Sequence, residues 1–192
     1  MPVNRATLSL IQNHEGLRLE AYADPGYGWK IATIGHGHTT QAGPPVVSKG
    51  MRITAEEAQR ILEADLLAVE VSVREAVTVP LNDNQFGALV SLTFNIGGGA
   101  FRRSTLLRKL NQRDYSGAAA EFKRWNKSNG KVLAGLTHRR ADEAALFQAP
   151  LIPVGKPRDE FAKAPAAPPP VATGFKALVL FLLALIKKVF RK

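Results

Sequence analysis

The sequence predicts an α+β fold, mainly α-helical with one small sheet, and three observations carry that prediction. Thr54-Ala55-Glu56-Glu57 has the form of a capping box and precedes Ala58, Ile61, Leu62, Leu66 and Val69, an apolar series at helical spacing. Asn82-Asp83-Asn84-Gln85 opens a second capped, apolar segment carrying Phe86, Leu89, Val90, Leu92, Thr93 and Phe94, which Gly97-Gly98-Gly99 terminates. Between Arg18 and Ile34, β-compatible stretches are punctuated by Asp24-Pro25-Gly26 and Gly28, which supply turns.

Taken in order, the chain starts with a helix over residues 5–14, with Leu8, Leu10 and Ile11 as its apolar side and the Glu15-Gly16 boundary as its end. The strand-and-turn region follows, then a long helix from residue 54 to about 71 and the buried helix ending at the glycines. Shorter helices are expected over 105–111, 116–124 and 136–147, with Pro150 as a stop. Phe122 and Trp125 read as core or cleft wall, because burial of large aromatics explains them without a ligand.

Composition divides the 192 residues into three parts. Residues 1–150 form a domain-sized body. Residues 151–173 are a linker, because repeated prolines remove backbone donors and Pro168-Pro169-Pro170 stiffens the chain. Residues 174–192 are an apolar run with cations around it. The formal charge of +10 is uneven, with 18 basic and 14 acidic residues in the body against 8 and 2 beyond it. Such an excess favours polyanionic surroundings without choosing among nucleic acid, lipid and wall polymer. The absence of cysteine excludes disulfides, thiol nucleophiles and zinc–thiolate sites. The N-terminal segment lacks the apolar core of a secretory signal, so synthesis in the cytoplasm without signal-dependent export is expected. There is no internal repeat.

The residues with chemical potential are Glu15 at a helix end, Asp24 at a turn and Thr33 before Ile34-Gly35-His36-Gly37-His38. Glycoside hydrolysis needs one carboxylic acid to protonate the leaving oxygen and one carboxylate to activate water or trap the cationic centre, and opposed environments supply both. On spacing alone the same residues also read as a solvated helix-end charge and an ordinary Asp-Pro-Gly turn.

His14-Glu15-Gly16, Ala21-Tyr22-Ala23-Asp24 and Thr33-Ile34-Gly35-His36-Gly37-His38 together resemble the active-site block of phage-type lysozymes, the endolysins of glycoside hydrolase family 24. Further matches are Asn84-Gln85-Phe86, Leu89-Val90-Ser91, Phe94-Asn95-Ile96-Gly97, Ser104-Thr105-Leu106, Arg124-Trp125, Gly135-Leu136 and Arg139-Arg140, so the likeness runs over about residues 4–148. The resemblance implies a lysozyme-like fold in which a lobe with a small β-sheet and a helical lobe flank a cleft bridged by the long helix. It implies a muramidase that cleaves the β-1,4 bond between N-acetylmuramic acid and N-acetylglucosamine, with Glu15 as acid, Asp24 as second carboxylate and Thr33 as helper. It also sets Gly37, His38, Phe94, Asn95, Ser104 and Arg140 along the substrate, Arg140 being the arginine expected near Glu15. The turn after Asp24 is longer than usual for the family, which brings in Tyr27 or Trp29 as a further substrate contact. A lytic transglycosylase on the same substrate stays open as an alternative, although an aspartate and a threonine at the water-handling positions favour hydrolysis. A binding protein with a dead site is a further alternative, against which the intact Glu15 argues.

His36 and His38, with His14, form a pattern that zinc can use, but without cysteine or a third-ligand motif no metal is expected, nor any cofactor. In the tail, Ala177 to Ile186 are continuously apolar, about 15 Å of helix and half of a hydrocarbon core, with Lys176, Lys187, Lys188, Arg191 and Lys192 placed to reach headgroups. This predicts a helix lying in or tilted into an anionic membrane; an anchor, an oligomerising tail, or lysis driven mainly by the tail are the alternatives. Nucleic acid is not an expected partner, since the cations flank an apolar run and form no stripe. The expected partners are peptidoglycan, anionic lipid and, for release, a phage holin. The expected state is a monomer in the host cytoplasm before lysis, then at the periplasm and cell wall.

Overall fold

The computed structural model describes residues 2–24 and 26–150. The linker at 151–173 and the apolar segment at 174–192, with the tail helix expected there, lie outside the described residues.

The first helix, α1 (Arg5–Glu15), starts where the Asn4 side chain accepts from the Thr7 amide and stops at Gly16, whose φ of 71° is a conformation that glycine adopts without strain. An antiparallel hairpin follows, β1 (Arg18–Asp24) and β2 (Gly28–Gly35), and β2 then pairs with the short β3 (His38–Thr39). Period-2 alternation sorts this sheet into two faces. Ala21, Ala32 and Ile34 join Val47 in a small apolar core, while Tyr22, opposite Thr33, takes the other face. The far edge of β1 is covered by residues 51–53, through Ala21 N to Met51 O and Ile53 N to Leu19 O.

α2 (Ala55–Ala76) opens with the expected capping box, Thr54 accepting from Glu57 N and Glu57 from Thr54 N. Its 22 residues span about 33 Å, enough to bridge two lobes. Ala58 lies against Gly35 of the sheet, whereas Leu62, Leu66 and Val73 belong to the larger helical core. The expected end near residue 71 falls short by more than a turn, because Val73 and Ala76 continue the apolar face.

α3 (Asp83–Ile96) has its own capping box on Asn82 and Gln85 and is buried almost throughout. Gly87 is required there: a Cβ would collide with the Thr7 side chain of α1, so its absence lets the two helices close on each other. α3 ends at Gly97 as expected, but the next two glycines do not stay irregular, since Gly98–Arg102 form the one-turn α4. α5 (Thr105–Asn111) and α6 (Tyr115–Glu121) follow, then a 3₁₀ turn over Phe122–Trp125, a two-residue hairpin of β4 (Lys127–Ser128) and β5 (Lys131–Val132), and α7 (Ala134–Gln148). Phe122 is fully buried with its ring centroid 5.7 Å from that of Phe147, which settles it as core. α7 packs chiefly on α3 and the 3₁₀ turn and also touches α1, which brings residues far apart in sequence beside Glu15.

Candidate active site

Glu15 is the last residue of α1, yet its side chain is only 4% exposed. Arg139 of α7, itself 3% exposed, donates from Nη1 to Glu15 Oε1 at 2.6 Å. The same guanidinium donates from Nε to Glu143 Oε1 at 3.1 Å and from Nη2 to the Ser91 carbonyl at 3.3 Å. A buried charge is tolerable only when paired and hydrogen-bonded, and here both conditions hold. Burial disfavours the Arg139 cation, but the charges of Glu15 and Glu143 outweigh it and hold its pKa above the ordinary arginine value. Glu15 is therefore no solvated helix-end charge.

Asp24 is held differently. It is 6% exposed, and its Oδ1 accepts from the amides of Gly26 at 2.7 Å and Tyr27 at 2.9 Å. The turn reading is thus correct as local structure, and it leaves Oδ2 outside those bonds. Thr33 sits on β2 across from Tyr22, fully buried. Its Oγ1 makes no well-formed hydrogen bond, although it is near enough to the Tyr22 hydroxyl to influence it. Burial raises the Tyr22 pKa, opposed by Arg18 and assisted by Glu15 and Asp24, so Tyr22 lies within electrostatic reach of both carboxylates. The sheet face carrying Tyr22 and Thr33 and the end of α1 thereby meet.

Several expected substrate contacts have other tasks. Arg139, not Arg140, is the arginine on Glu15; Arg140 is 1% exposed and turned to Glu143, with Nη2 donating to Oε1 at 2.9 Å. The one-residue difference follows from helical geometry: Arg139 on α7 faces α1 and α3, and Arg140 lies about 100° around the helix. His38 is buried, with Nδ1 2.9 Å from Asp65 Oδ2 and Nε2 donating to the Pro45 carbonyl at 2.9 Å, so both ring nitrogens are engaged inside the protein. Burial raises the pKa of Asp65, opposed by its hydrogen bond to His38. Ser104 is the N-cap of α5 and accepts from the Leu107 amide at 3.0 Å. Gly37 has a φ of 97° in the turn before β3, a backbone role. Phe94, half-buried, packs on the helical core, and Asn95, 9% exposed, follows Ser91 by one helical turn on the same face of α3. Tyr27 and Trp29 are exposed at 47% and 44%, and Lys49 Nζ lies 5.6 Å from the Trp29 ring centroid.

The three histidines of the sequence pattern are spread among separate partners. His36 Nδ1 donates to the Gly16 carbonyl, beside Glu15, while His14 Nε2 contacts Asp142 Oδ2 at 2.9 Å and His38 is occupied as above. Among the described residues no group of three or more His, Cys, Asp or Glu is placed to hold a metal ion. Sequence reasoning gives no role to Ser91, which it notes only within a family match, and does not reach Asp65 or Glu143. Only the last had a signal: Glu143 stands four residues after Arg139 and three after Arg140, spacings that place unlike charges on one helix face.

A buried glutamate at the end of the first helix thus stands beside a sheet carrying an aspartate and a threonine, in a two-lobed, mainly helical fold of lysozyme type. Comparison with known proteins agrees. The family model for phage lysozyme matches residues 12–143. The chain is 47% identical over 148 residues to an endolysin of Bacillus phage PZA, a match that covers 77% of this chain and 55% of that protein. It is 45% identical over 152 residues to an endolysin of Acyrthosiphon pisum secondary endosymbiont phage 1, covering 77% of this chain and 99% of the relative. Among solved structures it resembles the muramidase domain of SpmX from Asticaccaulis excentricus, with a TM-score of 0.69 and 41% identity over 77% of this chain and 98% of that one. The chain belongs to the phage lysozyme family, and so to the lysozyme-type glycoside hydrolases that break down peptidoglycan.

Proposed function

We propose that this chain is an inverting muramidase of glycoside hydrolase family 24 that hydrolyses the β-1,4 bond between N-acetylmuramic acid and N-acetylglucosamine. The observation that carries this reading is the contrast between the two carboxylates: Glu15 is enclosed and held by Arg139, whereas Asp24 is fixed by backbone amides at a turn. With Arg139 on Oε1, the other oxygen of Glu15 carries the proton given to the glycosidic oxygen as the bond to C1 breaks. Asp24, through its remaining oxygen, takes a proton from the water attacking C1 from the opposite side. Thr33 supplies a buried hydroxyl with no well-formed partner as a second contact for that water. Phe94 and Asn95 at the end of α3, with Tyr27 and Trp29 on the hairpin, are the remaining candidates for contact with sugar.

The substrate in the cell is peptidoglycan, reached through a phage holin from the host cytoplasm, with the enzyme acting as a monomer in the periplasm. In the same reading residues 1–150 are the catalytic body, 151–173 tether it, and 174–192 bind anionic lipid. Among the described residues no helix is long and apolar enough to cross a membrane.

Digestion of purified peptidoglycan tests the chemistry. Reducing N-acetylmuramic acid ends, formed first as the α-anomer by NMR, are expected. 1,6-Anhydro ends would identify a transglycosylase, and an initial β-anomer would identify a retaining enzyme. Glu15→Gln is expected to lower the rate by about 10²–10⁴-fold or more with its circular dichroism unchanged; retention of over about a tenth of the activity would remove Glu15 from the role of acid.

A further inference from the structure

Behind Arg139 lies a second layer of charge that the mechanism above does not use. Glu143 is fully buried, and its Oε1 accepts from Ser91 Oγ at 2.7 Å, Arg140 Nη2 at 2.9 Å and Arg139 Nε at 3.1 Å. Arg140 Nε also lies 2.9 Å from Glu143 Oε2, close in distance but without the angle of a hydrogen bond. Two arginines and two glutamates therefore form one enclosed cluster, neutral with both carboxylates ionised.

That composition bears on catalysis. A general acid must begin with its proton, and an arginine beside a carboxyl group favours the form without it. With Glu15 protonated the cluster carries one net positive charge; without Glu143 it would carry two. From these contacts we infer that Glu143 is a positioning residue for the acid, orienting Arg139 and offsetting its charge so that Glu15 keeps its proton at working pH. The inference rests on the reading of Glu15 as general acid.

The other groups around Glu15 do not supply this counter-charge. From α7 it is faced by Arg139, with Arg140 in electrostatic range, from the turn after β2 by His36, and from β1 by Tyr22 with Arg18 and Asp24 beyond, while His14 before it on α1 is turned to Asp142. From α3, the Ser91 carbonyl accepts from Arg139 and the Ser91 hydroxyl donates to Glu143, neither bringing a charge. Burial pulls Arg140 down to about 10, against Glu143, so it remains a cation at neutral pH and the need for Glu143 persists.

The test is the pH profile of kcat/KM on purified peptidoglycan for the full chain, Glu143→Gln, Glu143→Asp and Arg140→Gln, with Glu15→Gln alongside. Removing the negative charge should move the alkaline limb to lower pH by about one unit, and removing the Arg140 charge should move it upward by a similar amount. Glu143→Asp, which keeps the charge, should leave the limb near its original position. A purely structural Glu143 predicts lower activity at every pH with the limb unmoved, and that result, with Glu15→Gln inactive, overturns the inference alone. An active Glu15→Gln overturns the reading of the acid itself. If neither Glu143→Gln nor Arg140→Gln folds, the cluster belongs to stability and the inference is overturned as well.

Discussion

The two carboxylates are built by opposite means. Asp24 is held by amides two and three residues away, within one turn of a hairpin. Glu15 is held by a guanidinium 124 residues away, which in turn leans on Glu143 and the Ser91 carbonyl. The first arrangement survives as long as the hairpin does and costs little, since a carboxylate satisfying turn amides is ordinary local chemistry. The second exists only when α1, α3 and α7 are packed, and it encloses charge that water would otherwise solvate. One carboxylate is therefore secured by the backbone and the other by the tertiary fold.

The largest effect of this difference should appear when Arg139 is replaced. Arg139→Met leaves Glu15 and Glu143 enclosed without their shared cation, and urea unfolding should show a loss of about 3–5 kcal/mol. A loss below about 1 kcal/mol would mean that the cluster is as open to water as a surface pair, removing the contrast.

The same distinction between local and distant holding explains what was legible in the sequence. Capping boxes at Thr54 and Asn82, the glycine stops after α1 and α3, and the turn at Asp24 are all short-range signals, and each appears where it was read. The one-turn α4, β3 and the β4–β5 hairpin were not read, because two to five residues carry too little periodicity to register. In the candidate site, only the resemblance singles out Glu15, Asp24 and Thr33, and the choice between Arg139 and Arg140 as the arginine on Glu15 requires knowing which side of α7 meets α1. The resemblance sets His38 along the substrate, and nothing in its sequence neighbourhood announces Asp65, 27 residues away. Ser104 is set there too, and a serine opening the apolar Thr105–Asn111 segment also has the mark of a helix cap.

Ser104 provides a smaller test of the local side of the comparison. Ser104→Ala should cost about 1 kcal/mol in denaturant unfolding, the usual value of an N-cap, and leave KM for peptidoglycan unchanged. A raised KM with unaltered stability would restore it as a substrate contact.

The smallest expected effect concerns His36, whose hydrogen bond to the Gly16 carbonyl fastens the turn after β2 to the end of α1. Burial lowers its pKa, against the backbone hydrogen bond and Glu15, so between its folded value and the ordinary value of about 6.5 the unfolded chain binds more protons. Stability should therefore rise with pH through that window and fall as pH drops below about 6.5, with His14 contributing in the same direction because burial and Arg139 lower its pKa too. Melting curves between pH 5 and 7 (about half a unit apart) should show this slope, and His36→Gln should reduce it. An unchanged slope in the variant would assign the pH dependence elsewhere.

The most direct measurement is the hydrolytic rate of Asp24→Asn on purified peptidoglycan, taken with its melting temperature. Asparagine keeps an oxygen for the Gly26 and Tyr27 amides but cannot accept the proton from water. If Asp24 is both a turn residue and the base, the rate falls by about 10²–10⁴-fold while the melting temperature stays within a few degrees. A rate close to that of the original chain, at the same melting temperature, would reduce Asp24 to a turn residue and contradict the two-carboxylate account.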